Sequence, residues 1–374
     1  MNSKILTKFD ICSKIPENFR RKVKLFHVFD DEFGFNLLFV TRDDDLVYGL
    51  GANWFGSLGL GHDQAVDAPE LIPELCHHRV RQFVCGFTFV LAVTDDNRVY
   101  SWGIDNKGQL GRSTTANTAR VGIYLRPDII ADFDDKHQQV SQLACGNYHS
   151  LALTVDGDVY GWGHNRYGQV GCGKYVTIAR FTKIRLTNTY RLAARSVHCA
   201  ADSSYALTLD GYVFSWGHNG GHQLGHREID DVFVPKIMAN LNNIRTVCPS
   251  GSRTLFLTNE GLLYFCGEYK SSESGDRCLQ PTPQPMDHLK HQFIAMEQTV
   301  SYQRHISIKT ATTGDGRVWQ IFNTNELQET SYQCFDDFYA QEMHMTYRTV
   351  VLDDNNIDHQ VDGDDSQEDN TNNK

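Results

Sequence analysis

Short apolar runs, each closed by turn-forming residues, recur along most of the chain. Leu151-Ala152-Leu153-Thr154-Val155 is one such run; Asp156-Gly157 follows it, and Asp158-Val159-Tyr160-Gly161-Trp162 returns. Apolar stretches of this length predict strands, and Asp-Gly, which tolerates positive φ at both positions, predicts a two-residue hairpin turn. Thr208-Leu209-Asp210-Gly211 before Tyr212-Val213-Phe214 repeats the device, as does Thr258-Asn259-Glu260-Gly261 before Leu262-Leu263-Tyr264. Asp95-Asp96-Asn97 and Asp43-Asp44-Asp45 place other turn-competent residues at the earlier positions. A single pair of acids would resemble catalytic carboxylates. Acids at every turn read as turn chemistry.

The returning strand belongs to a longer recurring unit. Val159-Tyr160-Gly161-Trp162-Gly163-His164-Asn165, ending in Gly168-Gln169-Val170-Gly171, has copies at Val99-Tyr100-Ser101-Trp102-Gly103 with Gly108-Gln109-Leu110-Gly111, and at Val213-Phe214-Ser215-Trp216-Gly217 with Gln223-Leu224-Gly225. An earlier copy reads Val47-Tyr48-Gly49-Leu50-Gly51, closing in Ser57-Leu58-Gly59, and decayed copies stand at Leu263-Tyr264-Phe265-Cys266-Gly267 and around Trp319. The recurring aromatic, Tyr48, Tyr100, Tyr160, Phe214, Tyr264 and Trp319, is spaced by 52, 60, 54, 50 and 55 residues. A period near 50 marks a propeller or an array. With about four short strands per unit and no amphipathic helix between them, the expected fold is an all-β β-propeller. Six repeats are detected, which leaves six or seven blades.

This gives an N-terminal extension over 1–22, a propeller over 23–352 and a tail over 353–374. After Trp319 the pattern lapses, Cys334-Phe335-Asp336-Asp337-Phe338 is helix-like, and 345–352 reads as a strand closing the ring against N-terminal residues. Ring closure would remove two exposed strand edges.

The recurring glycines, Gly51, Gly103, Gly163 and Gly217 at the strand ends and Gly59, Gly111, Gly171 and Gly225 in the loops, read as backbone devices for tight approach or positive φ. The glycine-rich loop lacks a following helix and a Lys-Ser or Lys-Thr, so phosphate-cradling readings fail. Trp102, Trp162 and Trp216 read as packing between blades, each contributing on the order of 2–3 kcal/mol when fully buried. Connectors carry Pro69, Pro127, Pro235 and Pro281 and differ in length. The longest, with Arg112, Arg120 and Arg126, and the irregular zone around Glu273 are the candidate partner loops, because unequal loops on a rigid scaffold are where binding resides.

Net charge is −11, and residues 353–374 hold seven of those charges, so the body carries only −4. The tail, rich in Asp and Asn, buries too little to fold and is expected to be disordered. Asn18-Phe19-Arg20-Arg21-Lys22-Val23-Lys24 is a short basic cluster, read as a solvated edge rather than a nucleic-acid patch. No signal-peptide pattern and no run of 18 apolar residues occurs. Ten cysteines show no metal-ligand spacing. Cys85, Cys145 and Cys199 share one repeat position and read as buried thiols, which implies a reducing compartment, cytosol or nucleus.

The unit Ala144-Cys145-Gly146-Asn147-Tyr148-His149-Ser150-Leu151-Ala152-Leu153 followed by Val159-Tyr160-Gly161-Trp162-Gly163-His164-Asn165 resembles the repeat of the regulator of chromosome condensation family, over about four-fifths of the chain. The resemblance implies a β-propeller, usually seven-bladed. Within the family the chain looks most like the propeller half of proteins that join these repeats to a BTB domain, on Glu260-Gly261-Leu262-Leu263-Tyr264, His305-Ile306-Ser307-Ile308-Lys309-Thr310 and Asp336-Asp337-Phe338. Here the acidic tail follows instead, so BTB dimerisation and cullin recruitment are not carried over, and a monomer is expected. The founding member is an exchange factor for the GTPase Ran and docks on nucleosomes. Chromatin docking needs a cationic surface, and a body at −4 argues against nucleic-acid binding.

The function expected is a non-enzymatic scaffold whose loops bind a protein partner, with a role in substrate recognition for a ubiquitin ligase; the alternative is a regulator of a small GTPase. No cofactor, metal or membrane is expected. A hydrolase reading fails because His149 and Ser150 lie at a strand entry, and His164 and His218 recur at one loop position that suits bonding to the turn.

Overall fold

The computed structural model describes Leu6, Cys12 and residues 15–31, 34–112, 122–130, 139–187, 192–270, 276–286, 293–301, 306–313, 317–323, 326–329 and 348–351. These form six antiparallel sheets, each built on four consecutive strands. Blade 1 comprises β1 (Val23–Asp31), β2 (Gly34–Thr41), β3 (Val47–Gly51) and β4 (Val66–Leu71). Blade 2 comprises β5 (Val80–Cys85), β6 (Phe89–Thr94), β7 (Val99–Asp105) and β8 (Gly122–Ile129). Blade 3 comprises β9 (Val140–Cys145), β10 (His149–Thr154), β11 (Val159–Gly163) and β12 (Ile178–Ile184). Blade 4 comprises β13 (Ala194–Ala200), β14 (Ser203–Thr208), β15 (Val213–Gly217) and β16 (Val232–Ile237). Blade 5 comprises β17 (Ile244–Pro249), β18 (Arg253–Thr258), β19 (Leu263–Lys270) and β20 (Arg277–Pro285). Blade 6 comprises β21 (Phe293–Ser301), β22 (Ile306–Thr313), β23 (Val318–Asn323) and β24 (Glu326–Glu329), and β25 (Arg348–Val351) joins blade 1 beside β1.

The first strands of successive blades pack on one another and are innermost, except in blade 1, where β25 lies inside β1 and also packs on β5. Second strands such as β10 and β14 are buried along their whole length. Fourth strands are outermost, with exposed Ile123, Ile129, Val234 and Ile237. Pro69, Pro127, Pro235 and Pro281 thus lie within outermost strands rather than in the connectors that the sequence pattern assigned to them. A proline at a sheet edge has no N–H to offer and blocks the addition of another strand.

The cores lie between blades. Leu38 and Val40 of blade 1 meet Phe83, Val90 and Trp102 of blade 2. Leu91 and Val93 of blade 2 meet Leu143 and Trp162 of blade 3 in the same way. The free face of blade 1, with Phe26, Leu37 and Phe39, is covered by Leu6, Cys12 and Ile15, and Phe19 packs edge-on against Phe39 and Tyr48 at 5.7 and 5.0 Å. The first 22 residues therefore supply core as well as the exposed Arg21 and Lys22.

The hairpins differ in detail from the two-residue turn expected. The N–H of Thr154 donates to the Asp158 carbonyl, leaving a three-residue loop, Val155-Asp156-Gly157, with Gly157 at φ +78°. The Thr154 hydroxyl accepts the Asp158 N–H at 3.1 Å, and Thr94, Thr208 and Thr258 repeat that bond. A fixed threonine thus sets the longer loop.

The first strand of each blade also carries a bulge one residue from its start, at Lys24, Arg81, Ser141, Arg195, Arg245 and Ile294. The Arg81 guanidinium donates to the carbonyls of Val140 and Ser141, and Arg195 donates to those of Ile244 and Arg245. Two of these cations tie one blade to the bulge of the next.

Candidate interaction face

Antiparallel strands put the loops at two ends. At the upper end, where innermost strands finish, lie the first-to-second and third-to-fourth strand loops; hairpin turns and inter-blade connectors lie at the lower end.

Upper loops are pinned by the repeat residues themselves. Asn165 accepts the Val170 N–H at 2.9 Å and donates to the Lys174 carbonyl at 2.7 Å. Asn53 and Asn219 make the same pair of bonds, and all three are fully buried. In blade 2 the position is Asp105, whose Oδ1 is buried with no described partner. Burial pushes the Asp105 carboxyl above its usual range, against hydrogen bonds from the Leu110, Gly108 and Gln109 N–H groups.

The pinned loop presents a carbonyl to the next blade. Trp102, Trp162 and Trp216 donate their indole N–H to Ser57, Gln109 and Gln169 at 2.8, 2.8 and 2.9 Å. Gly59, Gly111 and Gly171 lie against the same indoles, and a Cβ on Gly171, at φ +86°, would sit 2.7 Å from Trp216 Nε1. Gly225 lies against Cys266, where the tryptophan is missing, and Cys266, Thr254 and Tyr205 together supply the Gln223 carbonyl. Gly51, Gly103, Gly163 and Gly217 mark the bulge where third strand passes to fourth; a Cβ on Gly163 would meet the Tyr148 carbonyl at 2.5 Å.

His149 is fully buried, and its Nε2 lies 2.8 Å from Ser204 Oγ. Because Ser204 donates its proton to the Gln169 carbonyl, His149 Nε2 carries the hydrogen and Nδ1 is a bare acceptor without a described partner. Burial pushes its pKa down to about 4, countered in part by Asp202. Ser150 Oγ lies 3.9 Å from Cys145 Sγ. The structure thus gives both residues packing roles.

Over blades 2–4 the upper loops carry a continuous run of rings. Phe87 meets Tyr148 at 5.8 Å, Tyr148 meets His164 at 6.4 Å, His164 meets Tyr167 at 6.2 Å and Tyr167 meets His218 at 4.8 Å. All five are partly exposed. Backbone bonds hold the strip, from Phe87 N–H to the Asn147 carbonyl and from Asn147 N–H to that of Ala201. Asp202 lies 3.6 Å from His164 and accepts from Gln169, and Asp231 lies 2.9 Å from His218. Burial works against the Asp202 charge, but hydrogen bonding to His164 and the nearby His149 outweigh it and hold the carboxyl below its ordinary value.

The charged residues singled out from the sequence are otherwise engaged. Arg112 bonds Ser101 Oγ at 2.9 Å and lies over the Tyr124 ring, and Arg126 pairs with Glu74 at 2.7 Å. Arg120 and Glu273 lie outside the described residues, as does the 336–338 stretch. The strip was missed because, although His164 and His218 share a loop position, Phe87, Tyr148 and Tyr167 fall at other repeat positions, so no motif links all five. Among the described residues no group of three or more His, Cys, Asp and Glu is placed to hold a metal ion, and no helix is long and apolar enough to cross a membrane.

The Regulator of chromosome condensation (RCC1) repeat model matches residues 44–93, 96–153, 156–207 and 210–257, more than half of the chain. The chain belongs to this repeat family. It is 32% identical over 231 residues to the ultraviolet-B receptor UVR8 of Arabidopsis thaliana, covering 61% of this chain and 50% of that protein. It is 33% identical over 244 residues to the probable E3 ubiquitin-protein ligase HERC6 of Homo sapiens, covering 64% and 23%. The chain therefore spans half or less of the curated relatives it matches. Prp20p of Saccharomyces cerevisiae, whose structure was described with its binding to Gsp1p and histones, superposes with a TM-score of 0.58 at 21% identity, covering 79% of this chain and 70% of that one. That likeness is one of fold.

Proposed function

We propose that this RCC1-repeat chain is a non-enzymatic protein-binding scaffold that takes its partner on the upper end of blades 2–4. The observation that carries this is the strip from Phe87 through Tyr148, His164 and Tyr167 to His218, flanked by Asp202 and Asp231. Rigid rings with polar tips lose little entropy on binding and dominate protein interfaces. The repeat residues beside the strip are occupied in holding blades together, which leaves the rings free to vary with the partner.

A finer reading places the scaffold in substrate recognition for a ubiquitin ligase. Its support is the likeness to a HERC ligase and the sequence resemblance to propellers joined to BTB domains. The buried thiols suit a reducing compartment, cytosol or nucleus. The test compares proteins captured by the wild-type chain with those captured by Tyr148→Ala/Tyr167→Ala, with melting curves in parallel. A partner lost by the variant at unchanged melting temperature supports the reading; a partner held equally by both overturns it. The alternative, a regulator of a small GTPase, predicts faster release of fluorescent GDP from one member of a GTPase panel, and no acceleration across the panel ends it.

A further inference from the structure

The outermost strands of blades 1, 2, 4 and 5 carry a proline at one shared register position. Glu70, Asp128, Lys236 and Gln284 pair with Gly49, Ser101, Ser215 and Phe265, and the residue before each is Pro69, Pro127, Pro235 or Pro283. In blade 3 Thr182 pairs with Gly161, and Phe181 precedes it. The position is one whose backbone turns away from the third strand. Ile130 and Met238 donate to the carbonyls of Val99 and Val213 at 2.8 and 2.9 Å, and their counterpart is Ile184 opposite Val159. Backbone groups alternate in direction along a strand, so the N–H and C=O of Lys183 and Arg185 face outward, as the prolines do in the other blades. β12 ends its sheet, with β11 as its one neighbour among the described residues. Blade 3 thus has an outer edge without the proline that closes the other four.

We infer that β12 is a docking edge, which takes an extended acidic segment of a protein partner as a fifth strand of blade 3. Main-chain bonds to Lys183 and Arg185 supply the pairing, and side chains on either face supply the selection. From Ile178 to Leu186 the chain holds Arg180, Lys183 and Arg185 and no acid, whereas β4 carries Asp67 and Glu70 and β8 carries Asp128. All three cations are exposed. Lys183 is paired with Asp158 at 2.6 Å, but neither the Arg180 nor the Arg185 guanidinium has an ion-pair or hydrogen-bond partner among the described residues. These two lie five positions apart and so on opposite faces of the strand. Two carboxylates at the same spacing on an added strand stand opposite them. A second copy of β12 offers these cations no acid and sets like charges on adjoining strands, which disfavours self-pairing. Phe181 stacks on Tyr160 at 4.1 Å and lies 5.7 Å from Trp162. The ring is thereby held at the edge and gives an apolar residue of the added strand a surface to cover.

The test uses the full chain and a labelled synthetic strand of about eight residues, Thr-Glu-Val-Thr-Val-Thr-Glu-Val, with a counterpart carrying glutamine for glutamate as control. Saturable binding is expected by fluorescence anisotropy, with slowed amide exchange concentrated on residues 178–186. Phe181→Pro installs the residue that four other blades carry at this position and is expected to weaken binding about tenfold or more, through lost main-chain bonds. Arg180→Gln/Arg185→Gln is expected to weaken it about fivefold or more, through lost charge-assisted contacts. The arginine variant alters only exposed side chains, so it reads the edge even where Phe181→Pro fails to fold; melting curves identify that case. Absence of binding up to about 1 mM peptide, equal binding of the glutamine strand, protection centred on the upper loops, or unchanged affinity in a folded variant would each overturn the inference.

Discussion

Trp216 Nε1 donates to the main-chain carbonyl of Gln169 at 2.9 Å across the joint between blades 3 and 4. The same carbonyl accepts from Ser204 at 2.7 Å, whereas the Gln109 carbonyl at the preceding joint has Trp162 as its one described donor. Trp162→Phe therefore leaves a buried acceptor bare and is expected to cost about 1–3 kcal/mol, while Trp216→Phe costs less. Denaturant unfolding of both variants measures the difference; equal losses would contradict the assignment of donors.

Gly171 lies against the same indole. Gly171→Ala combines a positive φ with a Cβ 2.7 Å from Trp216 Nε1 and is expected to cost about 1–3 kcal/mol. Gly173→Ala is the control, since its φ is also positive but its nearest neighbour is the Val234 side chain at 3.3 Å. The expected outcome in thermal unfolding is the larger loss for Gly171→Ala.

Much of this joint was legible in the sequence, because one geometry repeated in each blade requires the same residues each time. The recurrence of Trp162 reads as blade packing and that of Gly171 as a backbone device, whereas the contact of Gly171 with the indole of the next blade is visible only in the structure. The proline positions were misplaced because Pro127 and Pro235 sit in edge strands, where half of each strand's hydrogen bonds go unused and the strand pattern weakens. The Thr154 hydroxyl bond and the Arg81 bulge were illegible, since both act through backbone geometry that the residue type does not announce. The ring strip escaped for the opposite reason, being assembled from Phe87, Tyr148 and Tyr167 in different frames of the repeat. The reading of 353–374 as disordered falls outside the described residues.

Asp105 is the odd member of the buried asparagine set. Asp105→Asn restores an amide donor where Asn165 has one and is expected to stabilise the chain by about 1 kcal/mol at neutral pH. Because the folded-state pKa of Asp105 is raised, its ionisation disfavours the fold as pH climbs through and beyond the ordinary carboxylate value. The gain should therefore shrink toward pH ~3, where the aspartate is protonated. Unfolding of both proteins at the two pH values checks the sign, and a gain independent of pH contradicts it.

His149 and His226 are each pushed down by burial from 6.5 to about 4. A depressed folded-state pKa keeps the full contribution to stability above pH 6.5 and loses it as pH falls toward about 4. The loss is on the order of 2–3 kcal/mol per histidine. Blade 2 carries Phe89 at the position of His149. His149→Phe is thus expected to flatten the acid limb of a stability-against-pH curve, and an unchanged slope would remove His149 from the account.

The joints themselves are tested most directly by the exchange of indole N–H protons followed by nitrogen-15 NMR in the folded protein. Trp102, Trp162 and Trp216 are completely buried and each bonded to the preceding blade. Exchange of all three is predicted to require unfolding of the propeller, so that their rates converge and fall together as denaturant is removed. Exchange of any of them at the rate of an exposed indole would contradict a structure in which the repeated tryptophan bolts one blade to the next.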